Sequence, residues 1–140
     1  AVHPVTELDQ LLPETDLLFM SLPSVSDTVN ILNADRMALL PKGAYVVNVG
    51  RGTAIDQDAL IKALDSGHLA GAALDVVVPE PLPADHPLRE AKNLLLTPHV
   101  AGNMTLGYTC ERNVQLFCEN LENYAAGRPM HHLVDRRKGY

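Results

Sequence analysis

Residues 44–52 read AYVVNVGRG. Six of these residues form a short, almost wholly apolar run that stops at Gly50. It is too short for a helix and does not alternate. Strands buried on both faces read this way, and they belong to parallel sheets with helices on both sides. Similar runs lie on either side of it: Asp16–Leu22 (DLLFMSL), ended by Pro23, then Ala70–Val77 (AGAALDVV) and Asn93–Thr97 (NLLLT). Between the runs the period changes. Asn33 can cap a helix through Leu40, stopped by Pro41-Lys42-Gly43. Asp56 can cap another through Asp65, with Ala59, Leu60, Ala63 and Leu64 at helical spacing and Gly67 at its end. Strands alternating with helices of about ten residues predict an α/β layer with a parallel sheet. The connection from Val76 to Asn93 breaks the pattern. It holds Pro79, Pro81, Pro83 and Pro87, so no regular helix is expected there, and long irregular loops in compact domains are often functional. A long helix is expected over Thr105–Ala126, with Val114, Phe117, Leu121 and Tyr124 on one stripe and Gly127 as terminator.

The bulk properties fit one globular domain. The chain has 140 residues, 46% of them hydrophobic, enough for one core and too few for two ordinary domains. Eleven Lys and Arg against seventeen Asp and Glu give a net charge of −6, which argues against a nucleic-acid surface. No apolar run approaches the roughly 20 residues of a membrane helix, and the opening AVHPVTELDQ has no signal-peptide pattern. Cys110 and Cys118, eight residues apart on one helix, would sit about 12 Å apart, too far for a disulfide. Free thiols fit a reducing cytoplasm. No metal site is expected. His131-His132 with Asp135 near the chain end are read as solvated.

In an open α/β sheet, ligands bind beyond the carboxyl ends of the strands. Leu22 and Pro23 follow the first strand, and Gly50, Arg51 and Gly52 the second. Asp75 ends the third, with Glu80 in the loop beyond, and Pro98 and His99 follow the fourth, then Ala101 and Gly102. Each has a plain alternative: a surface arginine, an aspartate bonding a neighbouring N–H, a solvated glutamate, a structural histidine. Thr28 reads first as a cap for a turn or helix. The joint placement favours a site. Arginine grips a carboxylate with two parallel bonds. Histidine exchanges a proton near neutral pH, and a glutamate beside it fixes its ring. Asp75 can accept a hydrogen bond from an amide group of a cofactor. Together these residues suit a small acid whose neighbouring carbon–oxygen bond is reduced or oxidised.

Four segments then carry a family resemblance. Val47-Asn48-Val49-Gly50-Arg51-Gly52, with Ile55-Asp56 and Ala59-Leu60, resembles the arginine segment of the D-isomer-specific 2-hydroxyacid dehydrogenases. Gly71–Val76 followed by Pro79-Glu80-Pro81-Leu82-Pro83 resembles their glutamate segment, and Leu96–Gly102 (LTPHVAG) their histidine segment. Ser21-Leu22-Pro23 through Thr28 is similar to the stretch that flanks the cofactor. The likeness runs from about Leu8 to Pro129, and the ending Val134-Asp135-Arg136 is similar to the glyoxylate/hydroxypyruvate reductase branch. The resemblance implies the second half of a doubly wound, Rossmann-type dinucleotide-binding domain over residues 1–103. Residues 104–140 would be a long helix and tail returning towards a substrate domain. It implies NAD(H) or NADP(H) as cofactor, a small 2-keto or 2-hydroxy acid as substrate, a cytoplasmic enzyme and a homodimer.

It also implies roles. Arg51 would bind the substrate carboxylate, His99 act as general acid and base, and Glu80 keep His99 protonated for reduction. Asp75 would contact the nicotinamide side, and Leu22, Pro23, Thr28, Val49, Gly50, Arg51, His99 and Gly102 would line the cofactor cleft. The G-x-G-x-x-G turn that holds the pyrophosphate in complete members does not occur in this sequence. These 140 residues alone are therefore expected to show no dehydrogenase turnover. A second reading is a non-catalytic, NAD(H)-sensing module like the co-repressors called C-terminal-binding proteins, which share the scaffold.

Overall fold

The computed structural model describes residues 1–102 and 106–139. The chain divides into two units, Ala1–Ala101 and Gly102–Tyr140. The first unit carries α1 (Leu8–Leu11), β1 (Leu17–Met20), α2 (Ala34–Leu39), β2 (Ala44–Asn48), α3 (Gln57–Asp65), β3 (Leu69–Leu74) and β4 (Leu94–Leu96). The strands form one parallel sheet in the order β1-β2-β3-β4. This is the architecture of one half of a doubly wound domain.

The caps expected from sequence form. The Asn33 side chain accepts the Arg36 N–H at 3.0 Å and the Asp56 carboxylate accepts the Ala59 N–H at 3.0 Å, each satisfying a helix-start donor that has no partner inside the helix. The strands are shorter than the apolar runs that announced them. Val76, expected inside a strand, lies past the end of β3 and is 1% exposed. Burial there continues into the loop after the backbone ladder has stopped, and hydrophobicity alone does not distinguish the two.

The core lies on one side of the sheet. Leu12, Val46, Leu60, Leu64, Leu69 and Leu74 are all at most 2% exposed. The opposite face departs from the expectation of strands buried on both sides: Leu17, Phe19, Tyr45 and Leu95 are 59%, 61%, 52% and 63% exposed. The reason is topological. Each crossover moves the chain one strand further in the same direction. Right-handed crossovers in one direction place their helices on one face, and α2 and α3 pack together there. Covering the other face takes a reversal of strand order, which these residues do not contain.

As expected, the Val76–Asn93 connection is irregular, with a single short 3-10 turn at Pro87–Arg89. That turn seats Leu88, 1% exposed, in the core.

In the second unit, α4 spans Gly107–Ala125, with Leu106 in extended backbone as its N-cap; the expected start at Thr105 lies outside the described residues. None of its side chains is buried. Val114, Phe117, Leu121 and Tyr124 form the anticipated stripe and are exposed, as are the two free cysteines. The tail folds back on the helix, where the Asn120 amide bonds both the C=O and the N–H of His131, at 3.1 and 2.7 Å.

Candidate active site

The site is built from the turns that follow successive strands. After β2 the turn is tied by its own residues. Asn48, the last residue of the strand, is fully buried; its Oδ1 accepts the Gly50 N–H at 3.0 Å and its Nδ2 donates to the Arg51 carbonyl at 2.9 Å. This reverses the chain and leaves the Arg51 side chain exposed on the rim, its Nη1 donating to the Gly50 carbonyl at 2.7 Å. A methyl at Gly50 would stand 2.5 Å from the Leu22 nitrogen, and one at Gly52 2.4 Å from the Val77 carbonyl carbon. Both approaches are backbone to backbone, so only glycine allows the turns after β1, β2 and β3 to touch.

Leu22 and Pro23 follow β1. Thr28 staples their turn: its hydroxyl donates to the Pro23 carbonyl at 2.6 Å and accepts the Val25 N–H at 3.0 Å. That is the turn-capping use of Thr28, made entirely within its own loop. The Ser24 and Thr53 hydroxyls, 2.9 Å apart, tie the first turn to the second.

Asp75 follows β3 and is 5% exposed. Its carboxylate accepts three hydrogen bonds, all from the segment that carries His99: the Thr97 hydroxyl, the Val100 N–H at 2.9 Å and the Ala101 N–H at 2.8 Å. Its carbonyl accepts the His99 N–H at 2.9 Å. Burial pushes the Asp75 carboxyl up. The Thr97, Ala101 and Val100 donors and the neighbouring His99 outweigh it, so the group titrates below the ordinary aspartate value. The plain reading of Asp75, as an acceptor for nearby N–H groups, is thus realised, and Oδ2 with its single bond keeps a lone pair for another donor. These bonds surround a residue in unfavourable backbone: His99 has φ 56°, which costs a non-glycine residue about 1–2 kcal/mol.

Glu80 and His99 meet. Glu80 Oε2 lies 2.8 Å from His99 Nδ1, and Glu80 Oε1 accepts the Val77 N–H at 3.0 Å. The His99 bond, the Val77 bond and the charges of His99 and Arg51 lower the Glu80 carboxyl against a smaller opposing effect of burial. The Arg51 charge, the weakest of these effects, reaches Glu80 from the neighbouring turn. With Nδ1 fixed by a carboxylate, the ring leaves Nε2 for a proton transfer on the open rim. The Arg51 guanidinium, on the turn after β2, is suited to a carboxylate. A cavity of about 650 Å³ lies against the pair, lined by Glu80, His99, Leu82, Arg89 and Thr97. A smaller depression of about 270 Å³ is walled by Val47, Val49, Ala73, Leu95, Val100 and Ala101 with Asp75, so it reaches from the strand ends onto the open sheet face. Apolar walls with one carboxylate fit a flat ring that bears an amide.

Of the residues singled out from sequence, the structure brings together Glu80, His99 and Asp75 with Arg51 nearby, and it packs Leu22 against Gly50. Gly102 belongs to the second unit. Three residues that shape the site carried no role in the sequence reading: Asn48, Thr97 and Gln57. A polar residue at the end of an apolar strand, two positions before a Gly-x-Gly turn, is a usable signal for Asn48. Thr97 and Gln57 act across 22 and 21 residues of sequence, and no local pattern announces them.

An open parallel sheet with its polar residues at the carboxyl ends of the strands places this unit among the doubly wound α/β folds, whose ligands bind at that edge. Residues 1–101 match the NAD binding domain of the D-isomer specific 2-hydroxyacid dehydrogenases, and the chain belongs to that family. A glyoxylate reductase from Thermofilum pendens is 44% identical over 96 residues, covering 69% of this chain and 28% of that protein. A glyoxylate/hydroxypyruvate reductase A from Salmonella newport is 37% identical over 134 residues, covering 96% of this chain and 42% of that protein. A D-isomer specific 2-hydroxyacid dehydrogenase from Xanthobacter autotrophicus Py2, crystallised with NADPH and MES, superposes with a TM-score of 0.88 at 40% identity, over 99% of this chain and 56% of that one. The chain thus spans 28–42% of the length of these two curated relatives.

Proposed function

We propose that this chain supplies the acid–base and carboxylate-binding half of an NAD(P)H-dependent 2-ketoacid reductase acting on glyoxylate or hydroxypyruvate. The observation that carries the reading is the Glu80–His99 pair at 2.8 Å, with the Arg51 charge acting on the same carboxylate. Support comes from relatives named as glyoxylate and glyoxylate/hydroxypyruvate reductases and from a structural neighbour crystallised with NADPH. In this reading Arg51 holds the substrate carboxylate and draws electron density from the keto oxygen. His99 donates a proton to that oxygen through Nε2 in reduction and removes it in oxidation. Glu80 holds the ring in place through Nδ1. Asp75, Val49 and Val100 would hold the nicotinamide end of the cofactor, Asp75 as acceptor for its amide. Leu22, Pro23 and Gly50 form the neighbouring rim of the cleft. When bound, the nicotinamide supplies the hydride. The active form is a cytoplasmic homodimer.

The test is hydroxypyruvate reduction with NADPH by a full-length protein carrying this sequence. Arg51→Ala and His99→Ala should each lower kcat/KM by about 10²–10⁴-fold. Near-parental rates in both variants would remove the assigned roles. The 140-residue chain by itself should give no turnover.

A further inference from the structure

Glu80 reaches His99 from a loop that has little means of holding itself. Pro79, Pro81 and Pro83 have no N–H to give, so the main chain from Val77 to Pro83 has few donors for turns of its own. Side chains from elsewhere take that part. At the far end, Arg89 donates to the Leu82 and Pro83 carbonyls, both at 2.7 Å. At the near end stands Gln57, the first residue of α3. Its Nε2 donates to the Val78 carbonyl at 2.6 Å and its Oε1 accepts the Val78 N–H at 2.8 Å. One amide thus satisfies both main-chain groups of one residue, as a neighbouring strand would. The residue so fixed lies between Val77, whose N–H holds Glu80 Oε1, and Glu80 itself, whose Oε2 holds His99. The helix that bears Gln57 is anchored independently by the Asp56 cap and by Leu60 and Leu64 in the core.

We propose that Gln57 is a positioning residue for the Glu80–His99 pair, acting through the main chain of Val78. Gln57 touches neither member of the pair, and the role deepens the reading above, on which the catalytic part of the pair rests. Fixing the amide-bearing side chain on a helix start restricts where the Glu80 carboxylate can go, and the ring of His99 follows.

The experiment uses the chain itself, by NMR, in the parent and in Gln57→Met and Gln57→Ala. Both replacements are good helix formers, so α3 is retained. In the parent, the Val77 and Val78 amides should be protected from exchange and the Glu80 carboxyl should titrate below 4.5. In both variants the two amides should exchange about tenfold faster or more, and the Glu80 midpoint should rise towards 4.5. His99 and Arg51 are the charges facing that carboxyl, and neither is altered. Gln57→Glu keeps the acceptor for the Val78 N–H and should restore much of its protection. Faster exchange at Val78 with an unchanged Glu80 midpoint would overturn the proposal. So would global unfolding of both variants, because Gln57 would then hold the domain and not the pair. Retained turnover in His99→Ala would remove the catalytic reading and leave these spectra as they are, so the two failures are distinct.

Discussion

The turn after β2 and the loop after β3 deliver side chains to the same rim by opposite means. The first is short and held by its own residues: Asn48 bonds Gly50 and Arg51, and two glycines let the backbone press against its neighbours. The second is long, rich in proline and held by Gln57 from outside and by Arg89 from its own far end. A self-tied turn tolerates almost no change within itself. A loop tied from elsewhere tolerates change within itself and depends on distant residues.

The largest effect should come from Gly52→Ala. Its new methyl would stand 2.4 Å from the Val77 carbonyl carbon, so two turns must separate. Urea unfolding should show a loss of about 3 kcal/mol, whereas Pro83→Ala in the outer loop should stay within about 0.5 kcal/mol. Equal losses at the two positions would break the contrast. Next comes Asn48→Ala, which leaves the Gly50 N–H and the Arg51 carbonyl without their partner in a buried place. About 2 kcal/mol should be lost, and a value near zero would mean that water replaces the amide freely.

Asp75→Asn should cost about 1–2 kcal/mol, because an amide cannot accept all three donors. It should also change the acid limb of stability. The Asp75 and Glu80 carboxyls both titrate below their ordinary values of 3.8 and 4.5. The unfolded chain therefore binds more protons than the native one as pH falls through this range, and stability present above it is lost on acidification. Asp75→Asn removes its share and should flatten the curve below pH 3.8. Glu80 is half-exposed, so Glu80→Gln should flatten it less. A parental acid limb in Asp75→Asn would show that the carboxylate is not held as described. The smallest effect belongs to Arg89→Met. It removes two exposed bonds to the loop and should cost about 0.5–1 kcal/mol, with hydrogen exchange faster at Leu82 than at Val77.

The same contrast explains what the sequence made legible. The parallel layer and both helix caps follow from local period and local chemistry at Asn33 and Asp56. The rim residues follow from the rule that strand ends carry the site. The pairing of Glu80 with His99 was expected from the family resemblance, and the geometry supplies its distance. The threefold use of Asp75 by the His99 segment, the Gln57 bond to Val78 and the open sheet face were not legible. The first two join residues more than twenty positions apart through main-chain groups that leave no mark in composition. The third depends on the direction of successive crossovers, and apolar strands such as Leu17–Met20 look the same whether one face is covered or two.

The strand order has one more consequence. Because β1, β2, β3 and β4 are neighbours in the order in which they occur in the chain, each pairing closes only the connection between consecutive strands and keeps the entropy of loop closure low. All three pairings join strands that are consecutive in the chain, and the loop carrying His99 follows the last of them.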